Sequence, residues 1–400
     1  MQIQSKFSDK VKHLEASAIR EIFKLLDKPG IISFAGGAPD PELFPCEQLA
    51  KAASNVLMNN GKVALQYGVT EGYTPLRDWV KARLISQGII KEGDFNETII
   101  VSGGQQGIDL AAKSLLNPGD GVVCELPSFI GGLNSFRSYN AELYGVTVKS
   151  DGIDMEELEE LLKAHSNIKV VYTIATFQNP SGITMSLEKR KKLLELAEKY
   201  DFFIFEDNPY GELRFDGEDV QTMKSMDTTG RVVYLGSFSK ILSPGLRLGF
   251  TSCHKDLMER MIICKQVQDV HTNVFSQMLT YEYVTTNSID EHIARLRMIY
   301  GEKCRVMCEC MDKYFPKCVT HTTPQGGIFL FCEMPEGYDT KEIMAKAVER
   351  GVAFVPGSTT MIDDKAIYNT FRMNYSTASF EQIDKGIKIL GDLLKEEVGE

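Results

Sequence analysis

The sequence predicts an α/β protein in which a mainly parallel β-sheet is covered by helices on both faces. Short apolar segments rich in Val, Ile and Phe recur between residues 98 and 235. Segments with apolar residues at helical spacing separate them, as in the amphipathic stretch 186–200. Because strands that alternate with helices pair in parallel and are buried on both faces, this pattern indicates a sheet between two helical layers.

The predicted elements follow in order along the first part of the chain. A helix is predicted over Ala16–Leu26, and the chain then becomes loop-like around residues 34–41, where Gly and Pro are frequent. Five segments predict strands, and they are Thr98–Val101, Gly121–Glu125, Lys169–Ile174, Phe202–Glu206 and Val232–Leu235. Helices are predicted over Gln105–Leu116, after the first of these strands, and over Ser186–Tyr200, after the third.

The character of the chain changes near residue 285. One long helix of mixed charge is predicted over Ile289–Tyr314. Strands of a second, smaller sheet are predicted over Gly327–Phe331 and Phe371–Tyr375, and a closing helix over Phe380–Glu397.

The length of 400 residues is sufficient for two domains and a large core. We expect residues 1–45 to form an N-terminal helix and substrate-covering segment that packs with the small domain. Residues 46–285 are expected to form a large ligand-binding domain, and residues 286–400 a small C-terminal α+β domain.

Charge and composition exclude several classes of protein. The net charge is −11, and no run of Lys and Arg interrupts this acidic balance. An acidic surface repels phosphate backbones, so nucleic acid is not an expected partner. No apolar stretch reaches the roughly 18 residues of a membrane helix, and the first eight residues lack the apolar core of a signal peptide. We expect no membrane partner.

Nine cysteines form an odd set without a CxxC pair. Cys304, Cys308 and Cys310 are close in sequence but have no His neighbours at zinc spacing. We therefore expect reduced thiols, no metal site and a cytoplasmic location.

A possible anion site follows the first predicted strand. The segment Ser102–Gly107 contains three glycines and opens a helix, where free backbone N–H groups and the helix dipole attract phosphate. The glycine spacing is not the GxGxxG of dinucleotide-binding proteins, so a nicotinamide dehydrogenase is a poor alternative. By itself the segment is a weak signal, because most glycines of this kind belong to a tight turn.

Further polar residues follow the later strands. Asn179 comes after the third strand, Asp207 and Tyr210 after the fourth, and Lys240 after the fifth, with Arg247 shortly beyond it. Each is common in turns or helix caps when it occurs alone. Open α/β sheets bind ligands at the carboxyl ends of their strands, and these residues occupy successive strand ends. An amine held among hydroxyls, glycines and an arginine can bind an aldehyde cofactor as a Schiff base and grip its phosphate.

At these residues the chain resembles the pyridoxal-phosphate enzymes of the aspartate-aminotransferase fold. It is most similar to the branch that contains the 2-aminoadipate and kynurenine aminotransferases, from about Ser17 to the C-terminus. The segments that carry the resemblance are Ser17–Glu21, Ile32–Gly37, Pro41–Pro45, Leu65–Gly68 and Gly236–Lys240. The resemblance implies fold type I, with a mainly parallel seven-stranded sheet in the large domain and a smaller α+β domain.

The resemblance also implies how pyridoxal 5′-phosphate is bound. Lys240 would hold the aldehyde as a Schiff base and later move the Cα proton, and Asp207 would keep the pyridine nitrogen protonated. Asn179 and Tyr210 would donate to the ring hydroxyl oxygen, and Phe129 would stack on the ring. The residues implied at the phosphate are Gly103, Gly104, Gln105, Ser237, Ser239, Arg247 and, from the neighbouring subunit of a homodimer, Tyr67.

For the substrate, the resemblance implies that Arg372 clamps the α-carboxylate, with Asn179 and Gly37 nearby. A planar guanidinium matches a carboxylate bidentately. Arg20 is a candidate to pair with a distal carboxylate of the substrate, and a solvated helix arginine is the alternative. Gly104 stands where relatives often have Ser, and Phe129 where they usually have Tyr, which leaves cofactor affinity and substrate preference open.

The sequence thus predicts an aminotransferase that works in ping-pong order through a pyridoxamine phosphate form. The donor is an L-amino acid (2-aminoadipate, aromatic or branched-chain) and the acceptor a 2-oxo acid such as 2-oxoglutarate. A β-lyase or decarboxylase on the same fold is the first alternative, because the sequence does not show which Cα bond stands perpendicular to the ring. The same fold also senses effectors in transcription regulators, but we expect no room for a DNA-binding domain before Ser17.

Overall fold

The structure is a computed structural model that describes residues 7–8, 30–363, 366 and 368–400. The helix expected over Ala16–Leu26, and Arg20 with it, lies outside the described residues. The helices are α1 (Cys46–Ala64), α2 (Thr74–Ser86), α3 (Gly104–Leu115), α4 (Ile130–Arg137), α5 (Met155–Ala164), α6 (Leu187–Tyr200), α7 (Met223–Met226), α8 (Lys255–Gln268), α9 (Val274–Thr286), α10 (Ile289–Tyr314), α11 (Thr340–Glu349) and α12 (Phe380–Val398).

The strands fall into three sheets. They are β1 (Ile32–Ser33), β2 (Asn96–Val101), β3 (Gly121–Leu126), β4 (Glu142–Lys149), β5 (Gly152–Ile153), β6 (Ile168–Thr173), β7 (Phe203–Asp207), β8 (Val232–Ser237), β9 (Gly249–His254), β10 (Thr320–His321), β11 (Phe329–Glu333), β12 (Val352–Ala353), β13 (Val355–Pro356) and β14 (Thr370–Asn374).

The large sheet has the strand order β2-β9-β8-β7-β6-β3-β4-β5. Strands β3, β4, β6, β7 and β8 are parallel, and β9 is antiparallel to both β8 and β2. Strand β2 therefore runs in the direction of the parallel group. Seven of these strands form the mainly parallel sheet that was predicted, and the two-residue β5 adds an eighth at one edge, antiparallel to β4.

Both faces of the large sheet are covered. On β6, Val170 and Tyr172 pack into one core cluster, while Val171 between them packs into the other. Successive residues of a strand point to opposite faces, so two separate clusters mean two buried faces. This explains why the strand segments are apolar throughout and why they could be identified from composition.

Side chains at the helix starts explain several helix boundaries. Asp154 caps α5 by accepting hydrogen bonds from the backbone N–H groups of Glu156 and Glu157. Ser379 and Gln382 form a reciprocal capping box at the start of α12. Such caps satisfy N–H groups that lack a partner in the first helical turn, and each contributes about 1 kcal/mol.

The C-terminal part contains the smaller sheet, in the order β10-β11-β14-β13 with antiparallel pairs. Helices α10 and α12 pack against each other beside it. The predicted strand Gly327–Phe331 begins two residues later, at Phe329, because Gly327 has a φ of +77° and belongs to the preceding turn.

The N-terminal segment joins the C-terminal part of the chain. Strand β1 pairs in parallel with β12, with Ile32 opposite Val352. This pairing supports our proposal that the first 45 residues pack with the small domain, and the division of the chain at residues 45 and 285 stays a proposal.

No helix in the described part of the chain combines the length and the apolar character needed to cross a membrane. Within the same described ranges, no group of three or more His, Cys, Asp or Glu side chains is placed to hold a metal ion. The nine cysteines are free thiols.

Candidate active site

The carboxyl ends of the parallel strands open into one cavity of about 530 Å³. This volume is within the range of pockets that enclose a small cofactor and substrate. Most of the predicted site residues line it, namely Gly37, Gly104, Gln105, Phe129, Asn179, Asp207, Tyr210, Ser237, Ser239, Lys240, Arg247 and Arg372. The cavity thus brings together residues that are up to 335 positions apart, 37 and 372, and the second of these comes from β14 of the smaller sheet.

Lys240 lies between two cationic groups and one acidic group. Burial lowers the pKa of its amine to about 8, and the positive charges of Arg372 and Arg247 act in the same direction, while Asp207 opposes them. Its Nζ donates a hydrogen bond to the backbone oxygen of Gly37. An appreciable fraction of this amine is therefore neutral near neutral pH, which nucleophilic attack on a carbonyl requires.

This lowered pKa predicts how Lys240 reacts in the cofactor-free protein. Acetylation by acetic anhydride requires the neutral amine, so its rate should rise about tenfold per pH unit and level off above a pH of about 8. A short unstructured peptide with one lysine, added to the same sample as a reference amine, should still gain reactivity towards pH 10. Peptide mass spectrometry over a pH series measures both rates. A Lys240 rate that keeps rising in parallel with that of the reference peptide would contradict the lowered pKa.

Asp207 is buried at the end of β7. Its Oδ2 accepts a hydrogen bond from the Tyr172 hydroxyl at 2.8 Å. The pKa of the Asp207 carboxyl is raised to about 7, chiefly by burial and also by the nearby charge of Glu125, against the opposing effects of the Tyr172 hydrogen bond and the charge of Lys240. Because no Lys or Arg among the described residues forms an ion pair with Asp207, a protonated ring nitrogen placed against it would stabilise its charge.

Arg372 is a buried cation with an incomplete set of partners. Its Nη1 donates to Asn179 Oδ1 at 3.0 Å and its Nη2 to the oxygen of Ala35 at 2.8 Å. Its Nε is buried and has no hydrogen-bond partner among the described residues. Burial lowers the pKa of the guanidinium to about 10. In the described part of the chain no carboxylate lies within ion-pair distance of it, so the cavity offers a place for an anionic group.

The loop that carries Asn179 is held in place by hydrogen bonds of the preceding residue. The preceding residue, Gln178, donates from Nε2 to Glu125 at 3.0 Å and to the oxygen of Pro127 at 2.7 Å. Asn179 Nδ2 in turn donates to the Tyr210 hydroxyl at 3.5 Å. Burial raises the pKa of Tyr210, which keeps it a neutral hydroxyl that can donate a hydrogen bond.

The anion end of the cavity lies where β2 turns into α3. Gly103 has a φ of +79°, and a Cβ at this position would lie 2.7 Å from Nη2 of Arg247. Glycine is therefore required both for the backbone conformation and for the close approach of the guanidinium. Helix α3 starts at Gly104, and its first N–H groups face the same region as Arg247, which suits a phosphate.

These residues fit pyridoxal phosphate, the cofactor implied by the resemblance. The cavity presents an anion site at Arg247, an amine at Lys240 and a carboxyl at Asp207. Phe129 and Ile174 supply apolar surface in the same cavity. The donor set thus matches a planar ring with a phosphate at one end and a basic nitrogen elsewhere.

Two predicted residues, Gly103 and Tyr67, do not line this cavity. Gly103 lies behind Arg247 and supports it without lining the cavity. Tyr67 is 81% exposed and contacts only the ring of His271, edge to face at 5.8 Å, among the aromatic pairs of the described residues. Arg20 lies outside the described residues.

The sequence analysis missed several residues that the structure places at the site. Tyr172 supports Asp207, and Phe329 stacks under the Arg372 guanidinium with 4.2 Å between the ring centroid and Cζ. Ile108 and Ile130 add apolar wall. Tyr172 could have been identified, because it is a tyrosine in an otherwise apolar strand that neighbours the strand of Asp207. Phe329, Ile108 and Ile130 gave no signal in the sequence that they belong to the site.

The chain matches a known protein family over most of its length. Residues 29–390 match the model of the family "Aminotransferase class I and II". The aromatic-amino-acid aminotransferase 1 of Thermococcus litoralis is 42% identical over 98% of this chain and 94% of its own. The 2-aminoadipate transaminase of Thermus thermophilus is 39% identical over 96% of this chain and 94% of its own.

A solved structure matches over almost the same length. The kynurenine aminotransferase of Pyrococcus horikoshii, in complex with PMP, superposes with a TM-score of 0.95 and 39% identity. The superposition covers 99% of this chain and 98% of that one.

Proposed function

The chain belongs to the class I and II aminotransferases, and from this premise we propose that it moves an amino group from an aromatic, branched-chain or 2-aminoadipate-like L-amino acid to a 2-oxo acid such as 2-oxoglutarate. The two half-reactions follow a ping-pong order, in which the first product leaves before the 2-oxo acid binds. The observation that carries the proposal is the single cavity in which the Lys240 amine faces both Asp207 and Arg372.

The cofactor of this reaction is pyridoxal phosphate, which supplies, when bound, an electron-withdrawing ring that accepts the electron pair released at the substrate Cα. Asp207 would hold the ring nitrogen, and Asn179 and Tyr210 would donate to the ring hydroxyl oxygen. Phe129 would cover one ring face. The groups that would hold the phosphate are Arg247, Ser237, Ser239 and the N–H groups of Gly104 and Gln105, because the N–H of Gly103 already donates to the oxygen of Val101 at 2.8 Å.

Lys240 has two tasks in this proposal. Its neutral amine would hold the cofactor aldehyde, and the same nitrogen, when free, would take a proton from the substrate Cα and return one. Both tasks need an amine whose pKa is near the working pH. Burial and the charges of Arg372 and Arg247 produce such a pKa, about 8.

Arg372 and Asn179 orient the substrate. A carboxylate bound to the free face of the guanidinium would complete the hydrogen bonding of the buried Nε. Because Asn179 already contacts Arg372, the α-carboxylate would be fixed close to the Tyr210 hydroxyl as well. Fixing this group fixes the direction of the Cα–H bond relative to Lys240.

The remaining cavity wall supports an apolar substrate side chain. Ile108, Ile130 and Phe329 line the cavity, and its three cations, Lys240, Arg247 and Arg372, already have roles in this proposal. An acidic side chain such as that of 2-aminoadipate would need one more cation. We propose Arg20 for this pairing.

A panel of amino acids tests the proposal. L-Phenylalanine, L-leucine or L-2-aminoadipate, added without a 2-oxo acid, should convert the bound cofactor to its amine form, and 2-oxoglutarate should reverse the change. A lyase or decarboxylase would instead return the aldehyde form and release a different product, which would contradict transamination. In Arg20→Ala, a selective loss of 2-aminoadipate supports the role of Arg20, and an unchanged profile removes it.

Gly104 offers a test of the phosphate site. A Cβ added to Gly104 would have Asp207 Oδ1 as its nearest neighbour, at 4.0 Å, so a serine fits without a clash. Gly104→Ser should therefore restore a hydroxyl at the phosphate and tighten cofactor binding by about 1 kcal/mol, roughly fivefold. Equilibrium titration of the cofactor-free protein measures the affinity.

Gly103→Ala is the matched control for this substitution. Its Cβ would collide with Arg247 and would have a strained φ of +79°, so weaker cofactor binding is expected. Weaker binding by Gly104→Ser as well would contradict the proposed phosphate position.

We also propose that the protein is a homodimer with shared active sites. Leu65, Tyr67, Val69 and Val267 are each more than half exposed, although they are large and apolar, and Tyr67 contacts His271. A second copy would cover this surface and bring Tyr67 towards the neighbouring cavity. Sedimentation velocity is expected to show a dimer, and a fully active monomer would contradict the proposal. The free thiols support a cytoplasmic location.

A further inference from the structure

A buried ion pair joins the N-terminal segment to the small domain. Lys303, on α10, donates from Nζ to Asp40 Oδ2 at 2.6 Å and to the backbone oxygen of Ser376 at 2.8 Å. Lys303 is only 4% exposed and Asp40 only 7%. The ammonium group thus ties together three separate parts of the chain, which are α10, the segment before α1 and the segment that follows β14.

Such a pair is a poor device for stability alone. Removing two charges from water costs several kcal/mol each, and a well-packed apolar pair of similar volume is often as stable or more so. Removing one partner is nevertheless strongly destabilising, because the other charge remains buried. The position of the pair, rather than its net energy, is therefore the informative feature.

Asp40 of this pair lies two residues along the chain from Ala38, which belongs to the rim of the cavity. Gly37 and Ala38 line the cavity, and the oxygen of Gly37 accepts the hydrogen bond from Lys240. The oxygen of Ala38 accepts a hydrogen bond from Ser376 Oγ at 2.8 Å. Lys303 donates to the backbone oxygen of Ser376 and to the carboxylate of Asp40. It is therefore connected to the rim in two ways, through Ser376 and through Asp40.

The Asp40 carboxylate has a defined orientation. Its Oδ1 accepts a hydrogen bond from the N–H of Glu42 at 3.1 Å, at the start of the short helix Pro41–Leu43. Its own N–H donates to the hydroxyl of the buried Tyr300 at 3.1 Å. With one oxygen used as a cap, the other is directed to Lys303. Asp40 is thereby fixed to α10 through both Tyr300 and Lys303.

We propose that Lys303 is a positioning residue for the active site, and that its ion pair with Asp40 holds the Gly37–Ala38 rim in place opposite Lys240. The inference rests in part on the proposed function, because the rim is significant for catalysis only if Lys240 and Arg372 have the roles given above. Loss of the pair should let residues 37–40 move away from the cavity, while the sheet that carries Lys240 stays intact.

The first experiment measures the mobility of the rim. Hydrogen exchange with mass spectrometry, on the cofactor-free protein, follows the amides of residues 34–44. In Lys303→Met these amides should exchange roughly tenfold faster than in the wild type, because local opening becomes easier. The double variant Asp40→Asn/Lys303→Met should show the same increase without leaving an unpaired buried charge. Asn can still cap the short helix, so the double variant keeps the test meaningful if Lys303→Met folds poorly.

The second experiment separates positioning from stability. KM and kcat per cofactor-loaded site are measured for L-phenylalanine, L-leucine and L-2-aminoadipate with 2-oxoglutarate. Both variants should raise KM roughly tenfold and change kcat less, because a displaced rim weakens substrate binding. Lys303→Arg, which keeps the charge, should recover at least part of the loss.

Lys224→Met is the matched control. Lys224 forms a buried ion pair with Asp227 at 3.3 Å and donates to the backbone oxygen of Val232 at 2.7 Å, the same chemistry as Lys303. Val232 begins β8, so this pair lies at the edge of the sheet opposite the cavity. Its loss should lower the melting temperature and leave KM and the exchange of residues 34–44 unchanged.

The outcomes are distinct. An unchanged KM in the double variant overturns the inference, whether or not exchange increases, because the pair would then act on folding alone. Equal changes in Lys224→Met also overturn it. If the wild type converts none of the three amino acids, the proposed substrate range fails, and the exchange measurement alone then decides whether Lys303 holds the rim.

Discussion

Lys240→Ala is expected to lower turnover by at least about 10³-fold, since it removes both the attachment point of the cofactor and the base that moves the Cα proton. The absorbance of the Schiff base should disappear from the loaded protein. The cofactor should still bind, more weakly, because Arg247 and the start of α3 remain in place to hold its phosphate. Stability should not fall, because burial already disfavours the charged form of this amine.

The measurement combines steady-state kinetics with an absorbance spectrum of the loaded protein. Lys191→Ala, at an exposed position on α6, is the control for the loss of a lysine, and it should behave as the wild type. A Lys240→Ala protein that retains turnover within tenfold of the wild type would end the assignment of this residue. Loss of activity together with loss of folding, by circular dichroism, would attribute the effect to structure instead.

Arg372→Met is expected to lower kcat/KM for amino acids by 10²- to 10³-fold, or about 3–4 kcal/mol. In a buried site, water cannot replace the charge and the hydrogen bonds that the guanidinium gives to a carboxylate. Arg372→Lys should recover only a small part, since an ammonium group does not match the planar fork. The substitution also removes a positive charge near Lys240. We therefore expect the pKa of Lys240 to rise, and the alkaline side of the acetylation profile to move to higher pH.

A substrate without a carboxylate is the sharpest control. The wild type should discriminate strongly between L-phenylalanine and 2-phenylethylamine, which differ only in that group, and Arg372→Met should lose most of this discrimination. If the variant loses activity equally towards both compounds, then Arg372 supports the cavity wall through Asn179 and Ala35 instead of binding the carboxylate.

Much of the fold was predictable because its signals are local. The segments at β2, β3, β6, β7 and β8 are apolar and short, and each could be recognised without knowledge of its neighbours. The short edge strand β5 gave no such signal, because two residues are too few to show a pattern. The start of β11 was misplaced by two residues, because the φ of Gly327 depends on the turn that it belongs to.

The candidate site was predictable for a related reason. Parallel strands end at one edge of a sheet, so residues that follow successive strands meet there whatever the details of packing. Lys240, Asp207 and Asn179 were placed together on this argument, and the structure brings them into one cavity. Their exact partners were not predictable, and Tyr172, which donates to Asp207, was missed.

The sequence by itself determined the architecture of the large sheet, the edge at which the site lies and the chemistry of its principal residues, because periodicity and residue type are properties of short segments. Only the tertiary structure decided that Arg372 is buried without a carboxylate partner in the described chain, and that Lys303 meets Asp40 across 263 positions. Burial and pairing of charges depend on how distant segments pack, and no local pattern encodes which lysine will face which aspartate.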